Sequence, residues 1–270
     1  MQDKNQIAEQ QKSFIEKTVN AVKTFISSLD KTHIQTVLLA GSTARGDFFP
    51  GEYGGMVDLI VMRRKNSRAT AEDIFGANQE PFIPYHCIKI AEGAAKKDDL
   101  WLEIDFRDAV TLENFEKLEE PRKFSILEGK ILYDDGDAYK SELAKILELQ
   151  KTETARLFDG AMGYINYLLG DYKTDRWYRR GAFVQLHENL NTAIRAAVKC
   201  LYYINRSYQP AEDRFFYYSY TLQNLPGNYE KLMTELAKQQ IDSCEDYLRR
   251  EKLFKENFLK YLETFSFQQA

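Results

Sequence analysis

The sequence predicts an α+β fold in which a small mixed sheet precedes an all-helical region. Short apolar runs that end at turn residues lie in the first half, whereas almost everything after residue 137 has apolar residues at helical spacing. Strands mixed with helices, followed by helices alone, are typical of an α+β domain joined to a helical one. We therefore expect a first domain over residues 1–137 and a helical domain over residues 138–270.

In the first half, apolar residues at spacings of three and four predict a helix from about Asp3 to Leu29. Pro81 and Pro84 predict a loop or a broken helix between the second and third strands. The predicted strands are Thr36–Ala40, Val57–Arg63, His86–Ala91, Leu100–Phe106 and Ile126–Tyr133. In the second half, the predicted helices cover about 138–149, 152–170, 177–206, 213–223, 228–239 and 241–264.

Composition and charge exclude several classes of protein. A net charge of -4 opposes broad binding to a phosphate backbone, so we expect no long nucleic acid as a partner. The three widely spaced cysteines are typical of reduced thiols rather than of a zinc site. The polar first residues do not form a signal peptide, and no apolar run approaches the roughly 20 residues that cross a bilayer. We expect a cytoplasmic protein without a membrane partner.

The segment over residues 38–58 carries the clearest chemical signal. An apolar run ends at Gly41-Ser42, where a strand that enters a helix presents backbone N–H groups to an anion. Gly41 allows close approach of the backbone, Ser42 adds a hydroxyl donor, and Arg45 adds a fork of donors suited to phosphate. The simpler interpretation is a strand-to-helix turn in which Ser42 caps the helix.

Two carboxylates follow on predicted strands. Asp58 begins the apolar part of the second strand, and alternation in the fourth strand places Trp101, Glu103 and Asp105 on one face. Carboxylates on neighbouring strands beside a phosphate site are one way to hold Mg²⁺ against a nucleotide. The alternative for Asp105 is a surface carboxylate paired with Arg107 or Lys89.

The order of these features resembles the DNA polymerase beta-type nucleotidyltransferase superfamily. The resemblance rests on Gly41-Ser42 after a strand, Asp58 on the next strand and Asp105 on a later one, over about residues 36–106. Chain length and the helical second half are most similar to the aminoglycoside and lincosamide nucleotidyltransferases. The resemblance implies transfer of a nucleoside monophosphate, with ATP the expected donor, to a hydroxyl of a small molecule. Mg²⁺ or Mn²⁺ would be the cofactor, and pyrophosphate would leave.

The same resemblance assigns roles to individual residues. Gly41 and Ser42 would bind the triphosphate, Asp58 would bind metal, and Asp105 would bind metal and help to deprotonate the attacking hydroxyl. The family's first acidic strand usually contains two acidic residues. If Asp58 is the second, Met56 stands where the first belongs, and if Asp58 is the first, Ile60 stands where the second belongs, so a carboxylate is missing in either register. Mg²⁺ requires hard oxygen ligands, which a thioether does not provide.

The missing carboxylate has two interpretations. Either Asp47 or Glu52, in the longer interval before Asp58, refills the ligand set. Or the fold is catalytically degenerate and binds a nucleotide or a partner without turnover.

The helical half offers weaker candidates. Glu188 and Asn191 lie on one polar helix face and are candidate groups for binding the acceptor, although such a face is also typical of a solvated helix. Arg214 follows an Asn, aromatic and Pro stretch that resembles one in related helical domains, where the basic residue approaches the nucleotide. The alternative for that stretch is aromatic packing between helices.

Overall fold

The structure is a computed structural model that describes residues 4–47, 55–80, 83–93 and 99–265. Its fold is α+β, as predicted: a five-stranded mixed sheet is followed by a helical region. The chain divides into two compact units between Ile146 and Leu147. The predicted boundary at residue 137 coincides with the start of a long helix, and the division between the units falls inside that helix.

The first unit holds the sheet. Its elements are α1 (Lys4–Ser28), β1 (Ile34–Leu39), α2 (Gly41–Arg45), β2 (Gly55–Arg63), α3 (Ala71–Phe75), β3 (His86–Ala91), β4 (Leu100–Asp108), α4 (Leu112–Glu116), α5 (Glu120–Glu128) and β5 (Lys130–Asp134). The strands lie in the order β3-β4-β2-β1-β5. Strands β2 and β4 are parallel, and the other neighbouring pairs are antiparallel.

One face of the sheet forms the core of this unit. Alternate residues of β2 and β4 contribute side chains to it, among them Leu59 and Ile104, which are register partners. Helix α1 covers this face with Val22 and Ile26, both buried. The opposite face carries Asp58 of β2 and Asp105 of β4. Because the alternate apolar residues of both strands face the core, these carboxylates lie on the face away from it.

The fifth strand was predicted too early in the chain. Ile126 belongs to helix α5, where it is buried, and Gly129 separates that helix from β5. Pro121 near the first turn of α5 is compatible with a helix, because the amide hydrogen it lacks would have no partner there. The short helices α4 and α5 were not predicted.

The helical region differs from the prediction mainly in where its helices break. It contains α6 (Ala138–Leu169), α7 (Asp171–Tyr178), α8 (Phe183–Ile204), α9 (Phe215–Ser219), α10 (Tyr229–Ala237), α11 (Cys244–Phe254), a π-helical turn (Lys255–Leu259) and α12 (Lys260–Leu262). The two helices predicted over residues 138–170 are one, because no glycine or proline interrupts residues 149–152. The single helix predicted over residues 177–206 is broken near Gly181, which has a positive φ. The helix predicted over residues 213–223 is only the short α9.

Among the helices of the described residues, none combines the length and the apolarity that crossing a bilayer requires.

Asp134 joins the sheet to the start of α6. Its Oδ1 accepts hydrogen bonds from Thr36 Oγ1 and from the amide of Tyr139, each at 3.0 Å. Its Oδ2 accepts from the amide of Lys140 at 3.1 Å. The carboxylate therefore satisfies amides at the first turn of α6 and a hydroxyl on the fully buried Thr36.

We predict that Asp134→Ala lowers the free energy of unfolding by about 1–2 kcal/mol, because helix amides and a buried hydroxyl lose their acceptor. Asp135→Ala is the matched control: its carboxylate pairs with Arg64 on the surface, and such pairs contribute about 0–1 kcal/mol. Urea unfolding of both variants measures the difference. Equal losses would show that the Asp134 hydrogen bonds contribute no more than a surface ion pair.

Candidate functional site

Gly41 packs directly against the side chain of Asp58. Its φ is +60°, and a Cβ added to it would lie 1.8 Å from Oδ2 and 2.6 Å from Cγ of Asp58. The amide of Ala40 donates a hydrogen bond to the backbone oxygen of Asp58 at 2.9 Å, so the β1–β2 pairing continues to this point. Only glycine fits here, and the predicted phosphate turn therefore lies beside the predicted metal ligand.

Ser42 does not cap the short helix α2. Ala40 occupies the N-cap position and makes no side-chain capping bond there. The backbone oxygen of Ser42 accepts from the amides of Gly46 and Asp47 at 2.9 and 3.0 Å. The Ser42 hydroxyl makes no hydrogen bond to any residue that the structure describes, and the buried Thr43 hydroxyl also has no partner among them. Ser42 thus keeps its hydroxyl available, one residue after the contact between Gly41 and Asp58.

The sheet register places a second carboxylate next to Asp58. In the parallel β2–β4 pair, Asp58 lies opposite Glu103 and Ile60 lies opposite Asp105. Neighbouring strands are about 4.8 Å apart, so Asp58 and Glu103 are the adjacent carboxylates of this face. Glu103 was placed on the Asp105 face from its sequence alternation but was not assigned a role, because one strand's pattern does not reveal its register with another.

The cysteine opposite Glu103 on β3 is not a reactive group. Cys87 is fully buried, and this burial raises the pKa of its thiol to about 11. A thiol with so high a pKa stays protonated at neutral pH and is a weak nucleophile and metal ligand.

Asp105 is held by two arginines. Its Oδ2 lies 2.8 Å from Arg107 Nη2 and 3.3 Å from Arg122 Nη1. Lys89, the other partner considered from the sequence, pairs instead with Asp99 at 3.1 Å, and this hydrogen bond raises the pKa of the Lys89 ammonium. The two guanidinium groups stabilise the Asp105 carboxylate and compete with any metal ion for its oxygens.

The donor set fits one magnesium ion better than two. Among the residues that the structure describes, no group of three or more acidic, histidine or cysteine side chains is placed to hold a metal. Mg²⁺ usually needs only one or two carboxylates, with phosphate and water oxygens completing its shell. Asp58 and Glu103 meet that requirement, whereas Met56, opposite Trp101 in the register, supplies no oxygen.

The other first-unit candidates are engaged elsewhere or not described. Arg45 Nη1 binds Glu128 Oε2 at 2.8 Å, and its Nε lies 3.6 Å from Asp47 Oδ1. The contact with Glu128 ties Arg45 to α5, whereas Arg45 Nε and Asp47 Oδ1 form an ion pair without a hydrogen bond. Nucleotide binding by Arg45 and metal binding by Asp47 stay predictions. Glu52 lies outside the described residues, so its place in a ligand set stays a prediction.

In the helical unit, Glu188 and Asn191 line a cavity of about 710 Å³, together with Arg195 and Arg250. Asn191 Nδ2 donates to Glu188 Oε1 at 3.3 Å. Arg214 is half exposed and pairs with its neighbour Asp213 at 3.2 Å, and it does not line this cavity. Substrate binding by Glu188 and Asn191 and nucleotide binding by Arg214 stay predictions.

No family model matches the chain, and no curated protein matches it either. Among solved structures, the chain is similar to a nucleotidyltransferase-like protein from Exiguobacterium sibiricum 255-15. The match has 9% identity, covers 93% of this chain and 75% of that chain, and has a TM-score of 0.29. At so low a TM-score, the likeness carries neither a fold nor a function over to this chain.

The contact between Gly41 and Asp58 makes a stability prediction. Gly41→Ala introduces both backbone strain and a clash, whereas Gly46→Ala introduces strain alone, because Gly46 has φ +92° and nothing within 4 Å of an added Cβ. We expect Gly41→Ala to lower the free energy of unfolding by about 1–3 kcal/mol more than Gly46→Ala, as measured by urea unfolding.

Asp58→Ala serves as the rescue variant, since it removes the two closest atoms and leaves a 3.1 Å contact to Cβ. In that background, the cost of Gly41→Ala should approach the cost of Gly46→Ala. If the two glycine variants lose equal stability in the wild-type background, the close packing of Gly41 on Asp58 is wrong.

Proposed function

We propose that the first unit binds a nucleoside triphosphate with Mg²⁺ and transfers its nucleoside monophosphate to a hydroxyl of a small-molecule acceptor. The observation that supports this most strongly is the packing of Gly41 against Asp58, with Glu103 next to Asp58 in the sheet. This packing places a backbone turn that suits an anion next to two carboxylates that suit a divalent cation. ATP is the donor expected from the motif resemblance.

The roles of the chain's own groups follow from their positions. The Ser42 hydroxyl makes no hydrogen bond to a described residue, and in this role it donates to a phosphate oxygen. Gly41 lets the phosphate approach the backbone. Asp58 and Glu103 offer oxygen ligands to Mg²⁺, which supplies charge neutralisation at the phosphates when it is bound. A carboxylate beside a phosphate would otherwise repel it, so the two sites depend on one another.

The transfer itself consists of one exchange of bonds at phosphorus. The acceptor oxygen bonds to the α-phosphorus, the bond from that phosphorus to the bridging oxygen breaks, and pyrophosphate leaves with the electron pair. The hydroxyl proton passes to a carboxylate, and the motif resemblance gives this role to Asp105. Most of the rate enhancement then comes from positioning and charge neutralisation.

A second candidate function is nucleotide binding without turnover. It is favoured by Asp105, whose Oδ2 is engaged by both Arg107 and Arg122. These two arginines would replace part of the positive charge that a metal ion supplies in an active site. Met56, where the motif resemblance expects a carboxylate, favours the same candidate.

Thermal unfolding with ATP tests the binding step. A ligand at 100 times its dissociation constant stabilises the folded state by about 2.7 kcal/mol, so Mg²⁺-ATP should raise the melting temperature clearly. We expect ATP with EDTA to give a smaller shift. Asp58→Asn and Glu103→Gln should each weaken Mg²⁺-ATP binding by about tenfold or more, because each removes a charged oxygen ligand.

The matched control is Asp108→Asn on the same strand as Glu103. Asp108 is largely exposed and pairs with Arg63, so its substitution should leave Mg²⁺-ATP binding unchanged. Equal stabilisation by ATP with and without Mg²⁺, together with no effect of Asp58→Asn, would argue for the second candidate. No stabilisation by any nucleoside triphosphate would contradict both.

Turnover is tested with α-labelled nucleoside triphosphates, Mg²⁺ or Mn²⁺ and a library of hydroxyl compounds. We expect a labelled adduct together with pyrophosphate, and we expect Met56→Asp to raise the rate by restoring a carboxylate. Met56→Asn is the control, since an asparagine side chain has nearly the same shape as an aspartate side chain but carries no charge. If neither the wild type nor Met56→Asp forms a labelled adduct or pyrophosphate, the proposed transfer is wrong. Nucleotide binding without turnover would then be the remaining candidate.

A further inference from the structure

The helical unit buries one arginine almost completely. Arg250, on α11, is 1% exposed. Its Nε donates to the backbone oxygen of Leu236 at 2.9 Å, and its Nη1 donates to His187 Nδ1 at 2.8 Å and to Gln239 Oε1 at 3.1 Å. Its Nη2 donates to Asn191 Oδ1 at 2.6 Å. These contacts join α8, α10 and the segment after α10 around a single guanidinium group.

All four acceptors are electrically neutral. Three are a backbone carbonyl and two side-chain amides. The fourth is the imidazole of His187, whose Nε2 lies 3.0 Å from the backbone oxygen of Ser243. Because a carbonyl oxygen only accepts, Nε2 carries the hydrogen and Nδ1 presents its lone pair to Arg250.

The buried guanidinium therefore makes no ion pair with a described residue, although the charges of Asp246 and Glu188 act on it from a greater distance. Within the described part of the chain, no carboxylate lies within 4.0 Å of the Arg250 guanidinium. Asp246, one turn earlier on α11, is engaged elsewhere: its Oδ1 accepts from Arg249 and its Oδ2 accepts from the amide of Gln240. Burial lowers the pKa of Arg250, which reflects the cost of keeping this charge away from water.

Arg250 also lines the cavity of about 710 Å³ in this unit, a size that suits a small-molecule ligand. A guanidinium has five N–H donors, and one on Nη2 has no acceptor among the described residues. The apolar part of the wall comes from α8, α9 and α10, from the side chains of Ile194, Phe216, Met233 and Leu236.

A second cation lies in the same wall. The Arg195 guanidinium is 4.9 Å from the ring centre of Phe215 and 5.3 Å from that of Phe216, and it pairs with Glu212. The cationic side chains of the lining are thus Arg195, which pairs with Glu212, and Arg250, which makes no ion pair within the described part of the chain, and Glu188 is the carboxylate of the lining. The cavity combines an apolar wall with two guanidinium groups.

We propose that this cavity binds a small organic acid, with its carboxylate or phosphate group at Arg250 and its apolar body against Phe216, Met233 and Leu236. The acid would supply a charged partner in direct contact, where the described residues offer Arg250 only neutral acceptors, and would accept its remaining hydrogen. A well-placed anion on a buried guanidinium makes hydrogen bonds stronger than those of neutral acceptors. This site is distinct from the proposed nucleotide site and does not rest on it.

The test uses four probes that share a phenyl group and differ in charge. They are 4-phenylbutyrate, phenyl phosphate, the uncharged 4-phenyl-1-butanol and the cationic 4-phenylbutylamine, each titrated calorimetrically into the full chain. We expect at least one acid to bind about tenfold or more tightly than the alcohol, and we expect the amine to bind weakest. The ratio between the two acids distinguishes a carboxylate ligand from a phosphate ligand.

Two variants locate the binding without removing Arg250, which also ties helices together. Thr234→Trp fills the cavity from its exposed rim, and Thr221→Trp is the control at an exposed threonine outside the cavity. Both hydroxyls bond only to a backbone oxygen, of Glu230 and Tyr218 respectively. Thr234→Trp should weaken acid binding by about tenfold, and Thr221→Trp should not.

Arg195→Gln removes the charge of the second guanidinium group in the cavity wall. This variant should stay folded and should bind the acids with a smaller preference over the alcohol. The proposal is overturned if the acids and the alcohol bind equally, if the amine binds most tightly, or if no probe binds at about 10 mM. Equal effects of the two tryptophan variants would also overturn it, because binding would then lie outside the cavity.

Discussion

The close packing of Gly41 on Asp58 is the constraint on which the candidate site depends. A side chain at Gly41 would overlap a carboxylate oxygen of Asp58, and the amide of Ala40 holds the backbone of Asp58 at the same point. The turn after β1 is therefore locked to the middle of β2. Once Asp58 has this position, the parallel register with β4 places Glu103 beside it and Asp105 one pleat further along.

The polar face of the sheet consequently carries two kinds of carboxylate. Asp105 has its negative charge balanced by Arg107 and Arg122. Asp58 and Glu103 lie next to one another and beside a turn suited to an anion, an arrangement that repels a phosphate unless a cation lies between them. The adjacency of Asp58 and Glu103 is why a divalent cation is part of the proposed function, and the two arginines at Asp105 support a candidate that binds without turnover.

Local patterns predicted the elements well and their relations poorly. Strand β3 was predicted at its observed bounds, and β2 and β4 nearly so, because buried apolar runs ended by turn residues are local signals. The continuous α6 and the later start of β5 were missed, because a polar stretch does not break a helix and Ile126 fits a helix as well as a strand. Gly41, Ser42 and Asp58 come from one segment and were found together. Glu103 and Arg250 acquire their importance from register and burial, which no short motif encodes.

A crystal structure with Mn²⁺ and a non-hydrolysable nucleoside triphosphate tests the proposed site most directly, because anomalous scattering locates the metal independently of the surrounding density. We predict Mn²⁺ bound by the carboxylates of Asp58 and Glu103, with the triphosphate against the backbone of Gly41 and the hydroxyl of Ser42. A metal held by other residues, or a triphosphate bound away from Gly41, would contradict it.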